Sequence, residues 1–176
     1  ASVTYPANFQ LVAAMNPCPC GHFPDRSRCR CTDGQITRYL QKVSGPMLDR
    51  IDICVEASPI TYGDIRSSGN NESSREIRAR VEQARKIQGE RFAGENIRCN
   101  GEMSGRHIRK FCWLGREEEK FMEEIFKKLA LSARMHDRIL KVARTTADLA
   151  EEEKIRLADL CEAVSYVKSR DKFWGN

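Results

Sequence analysis

Apolar residues in the first third of the chain form two strand-like segments. Residues 9–15 are apolar apart from Gln10, which is typical of a strand buried on both faces. Residues 51–57 alternate and are rich in β-branched side chains, which predicts a second strand. Because two strands cannot bury themselves well, we expect them to belong to a larger sheet domain whose beginning lies outside this sequence.

Polar and turn-forming residues separate these two segments. A loop over 16–35, rich in Pro, Gly, Cys and Asp, follows the first strand directly. A short helix is predicted over 36–43, and the Ser-Gly-Pro sequence that follows it ends that helix. Pro46 suits the first turn of a second short helix, which runs to Arg50.

Helical periodicity dominates the rest of the chain. Residues 67–71 form a polar stretch that predicts a linker or an exposed loop. Ser73 and Glu76 then form a capping-box pattern, which is typical of a helix start. Helices are predicted over 73–92, 104–111, 117–131, 132–149 and 155–168. The predicted fold class is therefore an α/β fragment over 1–66, followed by an all-α bundle of four or five helices over 67–176.

Composition limits the class of protein only broadly. Of the 176 residues, 40% are hydrophobic and 31% are charged, which suits a globular protein with a modest core. The net charge of +5 is compatible with a nucleotide or nucleic-acid partner and does not require one. No apolar run reaches the roughly 18 residues of a membrane helix. The scattered Cys54 and Cys161 lie in apolar or helical patterns typical of buried free thiols, so we expect a reducing, cytoplasmic location and no membrane partner.

The loop after the first strand carries four of the eight cysteines, as the pairs Cys18-x-Cys20 and Cys29-x-Cys31. Two close pairs of thiolates supply the four soft ligands that tetrahedral zinc prefers, although the usual pair has about two to four intervening residues. We interpret the cluster as a structural zinc site. There are two alternatives: the four thiols share no metal, or they bind an iron–sulfur cluster. A redox disulfide is less favoured, because no Cys-x-x-Cys opens a helix.

Two polar side chains lie at the ends of the predicted strands. Asn16 follows the first strand, where it either holds a water or phosphate oxygen or serves only as a turn residue before Pro17. Arg50 precedes the second strand and either pairs with a neighbouring aspartate or points toward a phosphate bound by a neighbouring subunit. The residues alone leave both pairs of alternatives open.

The predicted helix over 132–149 carries a basic stripe at spacings of four, three and three residues. Its members are Arg134, Arg138, Lys141 and Arg144. Such a stripe is either a solvated face or a face that contacts phosphate or nucleic acid. Arg134 lies near the start of the helix, where free backbone N–H groups also favour anions.

Two signatures of an ATP site are missing from this sequence. It contains no Gly-Lys dipeptide and therefore no P-loop. No apolar run ends in Asp-Glu, as a strand that holds magnesium would. We therefore expect no complete catalytic site within this chain and no ATP hydrolysis by the chain alone.

Three motifs together resemble one family. They are LVAAMNPCPCG over 11–21, SGPMLDRID over 44–52 and SARMHDRILKVARTTADL over 132–149. In this order they are similar to the magnesium-chelatase-like AAA+ ATPases of the ComM/YifB type, and the likeness covers almost the whole chain. The resemblance implies a C-terminal third of such a protein, with the end of the ATPase core and the helical lid. The P-loop and the magnesium-holding strand would then lie upstream.

The resemblance also implies a role for each candidate residue. Asn16 would be the sensor-1 residue, which positions the attacking water. Arg50 would be the arginine finger, which acts on ATP bound by the neighbouring subunit. Arg134 would be the sensor-2 arginine, which reaches ATP in its own subunit. The other three members of the basic stripe remain candidates for contact with phosphate or nucleic acid.

The implied function is that of an ATP-dependent DNA motor, a branch-migration helicase linked to recombination and natural transformation. The full-length protein would use ATP and Mg²⁺, bind DNA and form a homo-oligomeric ring, expected to be a hexamer, and Zn²⁺ would be structural. Two other functions are kept. One is a non-enzymatic zinc module that binds nucleic acid, and the other is the regulatory ATPase subunit of a metal chelatase.

Overall fold

The computed structural model describes residues 2–5, 7, 9–66 and 72–174, and the regular elements among them are helices. The α-helices of this described part are α1 (Asp33–Leu40), α2 (Gly45–Leu48), α3 (Tyr62–Arg66), α4 (Ser74–Arg91), α5 (Gly105–Phe111), α6 (Arg116–Lys128), α7 (Ala133–Leu149) and α8 (Leu157–Trp174). One 3₁₀ turn, Asn100–Glu102, lies between α4 and α5. None of the helices among the described residues has the length and apolar character needed to cross a membrane.

The predicted α/β fragment is wrong. Residues 9–15 and 51–57 form no strand, and the described part of the chain contains no sheet. Phe9 and Val12, expected inside a buried strand, are 74% and 84% exposed. The backbone N–H and C=O groups of a strand need a neighbouring strand as their partner, and the described residues provide none for either segment. An apolar pattern without such a partner therefore remains irregular.

The first of two compact units covers Ala1–Leu48 and contains the cysteine loop, α1 and α2. Its buried apolar side chains are Cys18, Ile36, Leu40 and Leu48. A capping box starts α1. The Thr32 hydroxyl accepts the backbone N–H of Gln35 at 3.3 Å, and the Gln35 side chain accepts the backbone N–H of Thr32 at 2.9 Å. This box directly follows Cys31 and therefore fixes the end of the cysteine loop.

The second unit, Asp49–Asn176, is built around α7. This helix packs against α4, α5 and α8 and against the 3₁₀ turn, while α6 packs against α8. The apolar core extends from Phe92 to Val167, and Ile139 and Leu160 at its centre are 1% and 0% exposed. The helix lies centrally because its buried positions recur at three- and four-residue intervals on more than one side.

Serine caps start the helices where the sequence predicts them. The Ser73 hydroxyl accepts the backbone N–H of Glu76 at 3.3 Å, and the Glu76 carboxylate accepts the backbone N–H of Ser73 at 2.7 Å. The Ser132 hydroxyl accepts the backbone N–H of Met135 at 3.2 Å. The helices predicted over the second half are confirmed as α4 to α8, whereas α3 has no counterpart among the predicted helices. The predicted linker over 67–71 lies outside the described residues.

Candidate functional site

The four thiols of the cysteine loop converge on one point in the first unit. The sulfur atoms of Cys18, Cys20, Cys29 and Cys31 all lie within 4.8 Å of one another. The Sγ atom of Cys20 is 3.4 Å from that of Cys18 and 3.6 Å from that of Cys29. The Sγ atoms of Cys18 and Cys29 are 3.8 Å apart. A tetrahedral zinc ion with Zn–S bonds of about 2.3 Å requires sulfur separations of about 3.8 Å. The sulfur positions and the soft donor set therefore fit a single zinc ion.

Backbone N–H groups around the loop favour the ionised form of two of these thiols. The N–H groups of His22 and Arg30 lower the pKa of Cys20 to about 6. Burial opposes ionisation of Cys18, but the N–H of Phe23, 3.4 Å from its sulfur, helps to bring its pKa below the usual value. Metal-bound cysteines are thiolates, so donors aimed at sulfur prepare the loop for a cation.

The other two thiols are harder to ionise. Burial and the neighbouring thiols of Cys20 and Cys18 raise the pKa of Cys31 to about 12. The pKa of Cys29 is also raised: the N–H of Cys31 favours its thiolate, but burial and the thiols of Cys20 and Cys18 outweigh that contact. A divalent cation bound to all four sulfurs would favour their thiolate forms.

Asn16 lies against the first turn of the cysteine loop. This turn closes with a hydrogen bond from the Gly21 N–H to the Cys18 carbonyl at 3.0 Å. Gly21 has φ +80°, which favours glycine, and a Cβ atom there would meet Cγ of Asn16 at 3.7 Å. The Asn16 side chain is exposed, and its amide has no hydrogen-bond partner among the described residues. The shape of the cysteine loop therefore influences where this amide lies.

Arg50 lies in the second unit, two residues after the end of α2, and its side chain is exposed. Its two flanks are held by one residue of α7. The Arg138 guanidinium donates to the backbone carbonyl of Asp49 and also pairs with Asp52, with Nε 2.9 Å from Oδ1. The sequence suggested that Arg50 could form an ion pair with a neighbouring aspartate of the same segment. It gave no signal for the ion pair between Arg138 and Asp52.

Arg138 and Arg144 of the basic stripe are buried, with 8% and 2% of their surface exposed. The Nε atom of Arg144 donates to Asp148 at 3.0 Å, and its two terminal nitrogens donate to the backbone carbonyls of Glu153 and Glu152 at 2.8 and 2.6 Å. Burial lowers the pKa of Arg144, against the opposing effect of Asp148. Arg144 therefore ties α7 to the turn that follows it.

The remaining two basic residues of the stripe differ from each other. Lys141 is half-buried and donates to the backbone carbonyl of Gly101 in the 3₁₀ turn at 3.0 Å. Arg134 lies in the first turn of α7, is exposed, and has no hydrogen-bond or ion-pair partner within the described part of the chain. Of the four basic residues, Arg134 is thus the one whose guanidinium is available to a ligand.

Comparison with known proteins gives matches over nearly the whole chain. The sequence model of the family described as magnesium chelatase, subunit ChlI, matches residues 1–65. The model described as magnesium chelatase, subunit ChlI C-terminal, matches residues 71–167.

Three curated relatives illustrate this likeness. Competence protein ComM of Haemophilus influenzae is 41% identical over 94% of this chain and 32% of its own length. A protein named YifB of Escherichia coli is 44% identical over the same shares of the two chains, 94% and 32%. An uncharacterized protein of Mycobacterium tuberculosis is 36% identical over 92% of this chain and 32% of its own length. The chain therefore spans about a third of the length of the curated relatives it matches.

Proposed function

The chain belongs to the magnesium chelatase ChlI family, and we propose that it is the C-terminal portion of an ATP-dependent AAA+ motor that acts on DNA. The likeness to a relative named competence protein ComM supports a link to natural transformation, and the proposed activity of the motor is branch migration during recombination. The AAA+ class supports a homo-oligomeric ring, which we propose to be a hexamer.

The different environments of the basic residues on α7 carry this proposal. Arg138, Lys141 and Arg144 are engaged within the chain, whereas Arg134 is exposed at the start of the helix and has no partner among the described residues. A guanidinium beside the free N–H groups of a helix N-terminus is suited to phosphate oxygens. This supports Arg134 as the sensor-2 arginine, which contacts the phosphates of ATP in its own subunit.

Asn16 and Arg50 complete the proposed machinery. The Asn16 amide orients the water that attacks the terminal phosphate. Arg50 reaches ATP bound by the neighbouring subunit and stabilises charge on the transferred phosphoryl group, an effect worth roughly 10³–10⁵ in rate for arginine fingers. Mg²⁺ bound to ATP would neutralise charge on the phosphates, and Asn16, Arg50 and Arg134 are not proposed as its ligands.

We assign a structural zinc ion to the four-cysteine cluster. Its sulfur separations of 3.4, 3.6 and 3.8 Å suit one tetrahedral ion, and four protein ligands leave no open position for catalysis. Held by these four cysteines, the ion would fix the loop that packs against Asn16. Its proposed role is therefore to hold the sensor residue and not to activate water.

The test uses the full-length protein, in which the substitutions Arg50→Ala and Arg134→Ala are made separately. We expect each variant alone to hydrolyse ATP at a small fraction of the wild-type rate, with ATP binding retained in Arg50→Ala. When the two variants are mixed, some interfaces combine an intact Arg134 in one subunit with an intact Arg50 in the next. Partial recovery of hydrolysis on mixing is therefore expected.

The outcomes of this test are separable. Failure of the mixed rings to recover, although the subunits exchange, would refute action of Arg50 in trans. Near-normal hydrolysis by Arg50→Ala would refute the finger itself. The control is Arg78→Ala, which changes an exposed residue of α4 and should leave hydrolysis unchanged.

Two alternative functions are weaker. The hypothesis of a zinc module that binds nucleic acid depends on the basic stripe. Three of the four residues of that stripe have partners within the chain. A regulatory ATPase of a metal chelatase is supported by the family description alone. Stimulation of ATP hydrolysis by DNA favours the motor, whereas stimulation by a chelatase subunit and not by DNA favours the regulatory ATPase.

A further inference from the structure

The segment that carries Arg50 is anchored to α7 by one buried side chain. The Arg138 guanidinium donates to the carbonyl of Asp49, the residue before Arg50, and pairs with Asp52, two residues after it. We propose that Arg138 is a positioning residue for the arginine finger: it holds both flanks of Arg50 and so sets where the finger points. This inference rests on the proposed function, because it concerns the role that Arg50 has there.

The two groups that Arg138 binds, the carbonyl of Asp49 and the carboxylate of Asp52, explain why arginine suits position 138. A guanidinium is planar and carries several N–H donors in fixed directions, so it can hold a carbonyl and a carboxylate simultaneously. Arg138 is 8% exposed, and a charge with so little access to water strongly favours keeping its partners. Asp52, by contrast, has 70% of its side chain exposed, so the pair is anchored from the side of α7.

The contacts of residues 51–57 show why their interaction with Arg138 matters. Residues 51–57 have neither helical nor strand structure, so their position depends on contacts with neighbouring elements. Ile51 and Cys54 line one small cavity together with Met135 of α7 and Val167 of α8. The segment thus packs against α7 and α8, and Arg138 binds its first residues, next to Arg50.

The same helix also carries the proposed nucleotide contact. Arg134 precedes Arg138 by one helical turn, which is roughly 6 Å along the axis at 1.5 Å per residue. A displacement of α7 when Arg134 engages ATP would therefore be passed to the segment that presents Arg50 to the neighbouring subunit. Arg138 would connect nucleotide binding in one subunit with hydrolysis in the next.

The kinetic experiment uses the full-length protein with Arg138→Met, Arg138→Lys and Asp52→Asn. We expect Arg138→Met to lower kcat for ATP by about tenfold or more with KM little changed, because misplacing a catalytic group mainly affects the transition state. Arg138→Lys and Asp52→Asn should lose less, since each keeps part of the contact. The control is Arg80→Met, which removes an exposed ion pair between Arg80 of α4 and Glu72 just before that helix, and it should retain the wild-type kcat.

A double variant separates positioning from other roles. Combined with Arg50→Ala, the Arg138→Met substitution should cause no further loss of kcat, because it acts through Arg50. Multiplicative losses in the double variant would overturn the proposal. If Arg138→Met lowers folding yield, Asp52→Asn in the same double-variant comparison provides the result, since it removes only an exposed carboxylate charge.

Hydrogen exchange gives a readout that does not depend on hydrolysis. Backbone amides over 50–54 of the full-length protein should exchange faster in Arg138→Met than in wild type, with Arg138→Lys between them and Arg80→Met unchanged. Unchanged exchange in Arg138→Met would overturn the anchoring, even if the proposed function holds. A wild-type protein that binds ATP and never hydrolyses it would instead refute the proposed function and remove the finger that Arg138 is said to position.

Discussion

Arg91 on α4 donates from Nη1 to the carboxylate of Asp148 on α7 at 2.7 Å, and Asp148 is completely buried. The same carboxylate accepts hydrogen bonds from Asn100 in the 3₁₀ turn at 2.8 Å and from Arg144 at 3.0 Å. No buried side-chain nitrogen or oxygen among the described residues lacks a partner. The network thus joins α4 and the 3₁₀ turn to the central helix of the second unit.

The first prediction concerns this network. Asp148→Asn keeps the shape of the side chain but removes the charge that the guanidinium groups of Arg91 and Arg144 share. We expect it to lower the free energy of unfolding by about 3–5 kcal/mol, as is found when a buried ion pair loses one partner. Urea denaturation followed by circular dichroism measures this change.

The control for this measurement is the exposed Arg80–Glu72 pair, whose side chains are 46% and 52% exposed. Arg80→Met should leave the unfolding midpoint unchanged within error, because exposed pairs contribute little. A stability of Asp148→Asn equal to wild type would contradict the structural role of the network.

The second prediction concerns the metal. Protein purified under reducing conditions should contain close to one zinc ion per chain, because the four sulfur atoms converge and, as thiolates, would supply the four ligands of a closed tetrahedral site. Cys20→Ser should lose the zinc and lower the melting temperature by several degrees. Its effect on ATP affinity in the full-length protein should be smaller than its effect on stability.

Elemental analysis and thermal unfolding test this prediction. Cys161, which the sequence predicts as a buried thiol, is exposed and lies outside the cluster. Cys161→Ser is therefore the matched control and should keep both the zinc and the melting temperature. Iron in place of zinc would change the assigned ion. Reduced protein without either metal would rule out the site.

The third prediction concerns Arg134. In the full-length protein, Arg134→Ala should weaken ATP binding by roughly 10–100-fold, the range expected for the loss of one charged hydrogen bond to phosphate. Arg134→Lys should recover part of the affinity, because it restores the charge but not the planar fork. Titration with a fluorescent ATP analogue measures both effects, and Arg78→Ala should bind as the wild type does. Equal affinity in Arg134→Ala would show that this residue does not contact the nucleotide.

The fourth prediction concerns pH. A hydrogen bond from Lys110 at 2.7 Å, with further help from Arg106 and His107, holds the pKa of Glu95 below its usual value. A carboxyl whose pKa is lowered by folding stabilises the protein above its unfolded pKa of about 4.3, and this contribution disappears as pH falls through the lower, folded pKa. Glu95→Gln should therefore be less stable than wild type at neutral pH, and the difference should shrink below about pH 4.

Urea midpoints of wild type and Glu95→Gln, measured from neutral pH into the acid range, test this dependence. A stability difference that stays constant over the whole range would mean that the charge of Glu95 contributes nothing.

Helix starts and the cysteine cluster could be predicted because their determinants are close together in the chain. Ser73 reaches Glu76 and Ser132 reaches Met135 within a single helical turn. The two cysteine pairs lie on one short loop, so their spacing alone predicts that the thiols meet. Such contacts depend on local backbone geometry and hardly at all on distant parts of the chain.

Local sequence could not decide whether the two apolar segments form strands, nor which residues of the basic stripe are buried. Residues 9–15 have the composition of a strand, yet a strand forms only beside another strand, and the described part of the chain provides none.

Helical spacing by itself determined that Arg134 and Arg138 share α7. Only the tertiary structure decided that Arg138 is buried against Asp52 and the carbonyl of Asp49 while Arg134 stays exposed. Periodicity specifies the direction of a side chain around its own helix. Its burial and its partner depend on which distant segment packs there, and that is a property of the folded chain.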